Sequence, residues 1–174
     1  MQEVEGLSRR EIGVGVENLD LEALTRTFEV GTITGRLEGG LTNLELFDWS
    51  PVAFDMYLGT PANDRSDRQI SVDAINSISN VGGTAGTGVA AAMRTGVLRF
   101  FSNYRYKRLA LRCVLEDDIC SLSGAPISPN RYYLLEGAGV PRVDIIGNTG
   151  RVRWSELLEQ IEWQIRTGGT FVVE

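Results

Sequence analysis

The chain has 174 residues, 43% of them hydrophobic, which is enough for one domain with a genuine core. Its formal charge of -6 runs against a nucleic-acid surface, and it contains no histidine, so the commonest general base and metal ligand is absent. Two cysteines without histidine exclude a zinc site, and no run of about 18 apolar residues is present to cross a membrane as a helix.

Ile12, Val14 and Val16 alternate with Gly13, Gly15 and Glu17, which predicts a first strand. Asn18 or Asp20 can cap a short helix over 21–28, with Leu21, Leu24 and Phe28 on one face. Alternation then resumes through Ile33, Gly35, Leu37, Gly39 and Leu41 and slips phase near Thr42–Asn43, where a turn or bulge must restore register. Val52, Phe54, Met56 and Leu58 form the apolar side of the next strand, which ends at Gly59–Thr60–Pro61.

The segment PANDRSDRQ reads as a polar surface loop. Ser71 caps a helix with Val72, Ile75, Ile78 and Ser79 at helical spacing, stopped by Gly82–Gly83. A second helix carries Val89, Met93, Val97, Phe100 and Phe101. The intervening GGTAGTG lacks the Lys–Ser/Thr of a phosphate-binding loop and reads as a flexible joint between helices.

The strongest pattern lies at 104–122, YRYKRLALRCVLEDDICSL. Leu109, Leu111, Cys113 and Leu115 point one way and Arg108, Ala110, Arg112 and Val114 the other. A turn at 116–118 folds this strand back on 119–122, with one cysteine on each arm. A turn at Glu116–Asp117 sets Cys113 opposite Cys120 and allows a cross-strand disulfide. A turn at Asp117–Asp118 sets them diagonally, which needs a bulge. The alternative is two small core residues that never meet. A bonded pair fits an oxidising compartment. Arg94, Arg99, Arg105, Lys107, Arg108 and Arg112 make a local basic cluster, read as a solvated strand face rather than a headgroup contact.

After the loop APISPN, residues 132–136 and 142–147 read as two more strands. Trp154 and Ser155 open a last helix with Leu157, Leu158, Ile161 and Ile165 on a common face, stopped by Gly168–Gly169. The terminal TFVVE is strand-like.

Catalytic chemistry finds little footing: there is no nucleophile elbow and no S-x-x-K motif, Glu116, Asp117 and Asp118 cluster in a solvated turn, and Asp48 with Asp55 is the carboxylate pair that could be proposed. No catalytic residue, metal or cofactor is expected. The pattern adds up to an α+β fold, mainly β: a curved antiparallel sheet, as a groove or partly open barrel, with three to four short helices. It is organised as one domain, with a β meander and short helix over 1–61, a loop and helical pair over 62–103, hairpins over 104–150 and a terminal helix and tail over 151–174. Such a sheet carries more apolar side chains than three modest helices need, and spare apolar area of this kind suits acyl chains at about 0.8 kcal/mol per buried methylene. Whether the helices fill that face is left open.

The segments LDLEALTRTF, TGRLEGGL, PVAFDMYLGTP, FFSNYRYKRLALRCVLEDDIC and YYLLEGAGVPRVDIIG, with Trp154 after them, resemble the C-terminal region of YdbH-type proteins. These are AsmA-like intermembrane phospholipid transport proteins of Gram-negative bacteria, a region once labelled dicarboxylate transport. One departure is the Asp117–Asp118 turn, where relatives tend to carry Asn–Gly. The resemblance implies the C-terminal groove module of a periplasmic bridge whose full-length chain is anchored in the inner membrane and reaches the outer membrane. It implies phospholipid acyl chains as cargo and a small outer-membrane lipoprotein as partner, docked by strand addition to an open sheet edge. Val52, Phe54, Met56, Leu58, Leu109, Leu111 and Leu115 are the expected lipid-contacting residues, and the chain is expected to be a fragment of a longer one.

Overall fold

A computed structural model describes residues 13–81, 101–148 and 150–167. Within them a single open antiparallel sheet of ten strands is accompanied by three helices, which bears out the expected class. The sheet begins with β1 (Val14–Asp20), β2 (Arg36–Phe47) and β3 (Ser50–Gly59). It continues with β4 (Gln69–Ser71), β5 (Asn103–Glu116), β6 (Ile119–Ser123) and β7 (Ala125–Ser128). β8 (Arg131–Gly137), β9 (Ile145–Asn148) and β10 (Gly150–Arg153) complete it.

β5 is the spine. Its first half lies between β4 and β8, and its second half between β3 and β6. The order β1-β2-β3-β5-β6-β10 then leaves β1 and β10 as open margins among the described residues. The polar loop expected over 61–69 yields its end to β4, and APISPN opens as β7. Neither could be read from alternation, because each strand is only three or four residues long and β7 carries Pro126.

The single apolar face expected of β5 is present, and it runs further than the alternation alone indicates. Between the pairs Tyr106↔Gly137 and Arg108↔Glu136, β5 carries one extra residue. This bulge reverses the parity, so buried Tyr104 and Tyr106 share a face with Leu109, Leu111, Cys113 and Leu115. The phase slip expected near Thr42–Asn43 is likewise a bulge, with Asn43 at φ 54°, and β2 runs on through it to Phe47.

α1 (Leu21–Thr27) starts at Asp20, whose carboxylate accepts hydrogen bonds from the amides of Glu22 and Ala23 at 3.0 and 3.2 Å. Asp20, rather than Asn18, is therefore the cap. α2 (Val72–Val81) begins at Ser71, whose Oγ accepts from the Ala74 amide at 3.2 Å. Leu21 of α1 and Ala74 and Ile75 of α2 close over Ile70, Tyr104, Tyr106, Leu135 and Ile145 to form the larger buried cluster. Both helices thus lie on the apolar face of the sheet, and the second helix expected after Gly82 falls outside the described residues.

α3 (Trp154–Thr167) begins at Trp154, as expected, and reaches from β10 to α2. Its start is fixed by Asp118, whose carbonyl accepts from the Trp154 amide at 2.8 Å and whose carboxylate binds the Ser155 amide and hydroxyl at 3.0 and 2.9 Å. Residues 168–169, expected as its stop, lie outside the described part, as does the tail.

Candidate functional site

Cross-strand register assembles the expected apolar surface from separate segments. Phe54 pairs with Leu115, Met56 with Cys113, and Leu58 with Leu111, so these side chains stand in successive rows on one face. Leu41 extends the Met56 row through β2 and Val14 extends it onto β1, while Val16 continues the Leu58 row across Gly39. Leu122 opposite Cys113 carries it onto β6.

The expected residues do not share one environment. Phe54 and Leu115 are 4% and 1% exposed, closed off with Cys113 and Cys120 under Trp154, whose ring meets Phe54 edge-on at 5.1 Å. Leu109 packs against the larger cluster beneath α1 and α2. Leu58 packs against the same cluster, and Leu41, Met56 and Leu122 pack against the smaller one; these four, like Leu111, which joins neither cluster, are only half-buried, and Val14 and Val16 are exposed. Val52 sits apart, exposed, beside the β2–β3 turn. The buried core is therefore not continuous: two plugs flank an apolar belt that runs across the strands.

Cys113 and Cys120 are joined, with their α-carbons 5.6 Å apart. The turn is Asp117–Asp118, at φ 48° and 62°, and the cysteines sit diagonally, Cys113 opposite Leu122 and Leu115 opposite Cys120. The bulge expected of a diagonal pair is absent: the β5–β6 register is unbroken, and the separation is within ordinary disulfide reach. Two aspartates occupy a corner that favours Asn–Gly because Asp118 also caps α3.

No family model, curated protein or solved structure matches the chain.

The other face of the sheet is polar and internally neutralised. Arg112 Nε donates to Asp55 Oδ1 at 3.0 Å, and this hydrogen bond and the guanidinium charge hold the Asp55 carboxyl below its usual range against the effect of burial. Arg108, Lys107 and Arg142 surround Glu136 at 2.6, 3.4 and 3.7 Å. Burial pushes the Glu136 carboxyl up, but the hydrogen bonds and charges of Arg108 and Lys107 outweigh it and leave it below the ordinary value. Arg105 faces Asp67 at 3.8 Å. The described part of the basic cluster thus reads as a solvated, paired strand face; Arg94 and Arg99 lie outside the described residues.

Asp48 and Asp55, the carboxylate pair that could be proposed for such chemistry, are not brought together. Asp48 occupies the β2–β3 turn and Asp55 is bound to Arg112 seven positions along. No metal-binding cluster occurs among the described residues, and no helix among them is long and apolar enough to cross a membrane.

One surface had no place in the expectations. The β2–β3 turn carries Leu46, Phe47 and Trp49 at 52, 75 and 91% exposure. Its signal in the sequence was the run LELFDWSPV, in which Leu44, Leu46, Phe47, Trp49 and Val52 are interrupted by only two acids, Glu45 and Asp48. Helices and strands that must be covered elsewhere make such a run read as core.

Proposed function

We propose that this chain is the C-terminal groove module of an acyl-chain carrier, a phospholipid bridge between two membranes of an envelope. The observation that carries the reading is the half-buried belt of Leu41, Met56, Leu58, Leu111 and Leu122, in which Leu58 borders one buried plug, Leu41, Met56 and Leu122 border the other, and Leu111 joins neither. An aliphatic chain laid across such a belt removes methylenes and leucine side chains from water together, at about 0.8 kcal/mol per methylene, and asks for no directional partner. Transport of this kind is passive shielding and calls on no catalytic group.

Two further features support the setting. The Cys113–Cys120 bond suits an oxidising compartment such as a periplasm. The outer side of β1 presents seven residues without a neighbouring strand among the described residues, a margin on which a small outer-membrane lipoprotein could add a strand. In the bridge so proposed, an anchor in the inner membrane belongs to the longer chain.

Native mass spectrometry of mildly purified protein tests the reading. Phospholipid retained by the wild type and lost in Leu58→Glu/Leu111→Glu, with the fold intact by circular dichroism, is the expected outcome. Wild-type protein free of lipid, with no uptake from vesicles, would refute the reading. It would favour the second one, a strand-accepting docking module whose own chain fills the belt, for which the open β1 margin is the specific observation.

A further inference from the structure

The end of the sheet bearing the β2–β3 turn is built unlike the rest of the surface. The last β3–β5 pair is Ala53↔Glu116, whereas β2 and β3 stay paired out to Phe47↔Ser50. The β2–β3 hairpin therefore overshoots the β5–β6 hairpin by roughly two residues, ~7 Å at strand rise. At its apex Asp48 and Trp49 adopt φ 48° and 64°. Left-handed backbone at both corner positions favours Asn–Gly, and an indole there is a choice that local stability does not make. Phe47 and Trp49 project from this apex, with Leu46 and Val52 at its base.

Among the described residues, the unengaged charges around the finger are of one sign. Asp48, Glu116 and Asp117 are exposed on the two neighbouring turns, while Asp118 is committed to the start of α3. The basic groups closest along these strands are engaged, Arg112 with Asp55 and Arg153 with Glu156. An acidic collar behind two aromatic rings repels anionic lipid and attracts the ammonium groups of ethanolamine or choline headgroups. Tryptophan settles at the depth where headgroups meet hydrocarbon, and phenylalanine beside it buries toward the acyl boundary.

We infer that the β2–β3 apex, Leu46, Phe47, Trp49 and Val52, is a docking finger that enters the interface of a zwitterionic phospholipid bilayer. This goes beyond the acyl-chain reading and does not depend on it. Vesicle binding without retained lipid would remove only the groove, and retained lipid without vesicle binding would remove only the finger.

The test is co-sedimentation of the 174-residue chain with phosphatidylcholine/phosphatidylethanolamine vesicles and with vesicles containing phosphatidylglycerol. The wild type binds the zwitterionic vesicles better. Trp49→Ser lowers partitioning about tenfold and Phe47→Ser/Trp49→Ser about a hundredfold, the scale set by withdrawing one or two large side chains from an apolar phase. Val140→Ser, at a site 98% exposed on another loop, leaves binding unchanged. Because the apex side chains are exposed, these variants keep the thermal transition of the wild type. Equal partitioning of the double variant, absence of wild-type binding to zwitterionic vesicles, or preference for the anionic ones overturns the inference. So does loss of a dimer in the Trp49 variant without any vesicle effect, which would assign the finger to a protein contact.

Discussion

Leu115 and Leu111 lie on the same face of β5, two pairs of residues apart along the strand, and truncating each to alanine measures how the belt differs from the plug. Leu115 is 1% exposed, opposite Phe54 on one side and Cys120 on the other. Its truncation leaves a cavity beneath Trp154 and costs about 3 kcal/mol, in the middle of the range for buried leucines. Leu111 is half-buried and belongs to neither buried cluster, so solvent or a bound chain can relax into the space it vacates. Its loss is close to the transfer term for part of a side chain, about 1 kcal/mol. The difference of ~2 kcal/mol corresponds to about 1 M in the urea midpoint at a slope near 2 kcal/mol per molar. Equilibrium unfolding of delipidated, oxidised protein, followed by far-UV circular dichroism, reads it directly. Adding lipid then raises the wild-type midpoint by mass action and the Leu111→Ala midpoint by less. Equal losses for the two variants, with equal slopes and no response to lipid, would show that the belt is ordinary core and would leave the groove without its footing.

Other expectations follow from single contacts. Asp118→Ala removes the carboxylate that binds the Ser155 amide and hydroxyl and should cost about 1 kcal/mol; hydrogen exchange at the start of α3 rises while β5 stays protected. Glu136 has a folded-state pKa depressed by Arg108 and Lys107, so its contribution is complete above the usual carboxylate range and is lost as pH falls through the folded value. Glu136→Gln should therefore flatten the acid limb of the stability profile below pH ~4, and an unchanged limb would discount the cluster. Reducing Cys113–Cys120, which closes a loop over a sequence separation of 7, should lower stability by about 2 kcal/mol in the chain-entropy account. A thermal transition indifferent to reductant would contradict that. Tyr106 donates its hydroxyl to the Thr34 carbonyl at 2.7 Å, and burial raises its pKa to about 12, so it stays a neutral donor; Tyr106→Phe should cost about 1 kcal/mol at any pH from 6 to 9.

The apolar face of β5 was legible because period-two alternation is a local property, and Leu109, Leu111, Cys113 and Leu115 display it without interruption. That Tyr104 and Tyr106 belong to the same face was not legible, since the parity change arises from pairing with β8, more than 25 positions away. The same holds for the disulfide. Its feasibility depended on which two residues turn, and Asp117–Asp118 gains its place from a cap on a helix that begins at Trp154. Phe54, Met56, Leu58, Leu109, Leu111 and Leu115 share a face, because pleating fixes that, whereas Val52 lies at a register shift beyond the last β3–β5 pair. Their division into plug, belt and apex was invisible, because it depends on where Trp154, α1 and α2 come to rest. The apex was missed for a simpler reason: Phe47 and Trp49 have the composition of a core, and only the length by which one hairpin outruns the next places them outside it.

β5 carries hydrogen-bonded neighbours along both margins, two on each, drawn from positions as far apart as 53 and 137. Neither half of the sheet can therefore melt by itself, since opening one end strips partners from the strand that organises the other. The two plugs, although physically separate, should rise and fall as a single cooperative unit. Amide protons from Tyr104 to Leu115 would then exchange at one common rate, that of whole-molecule opening.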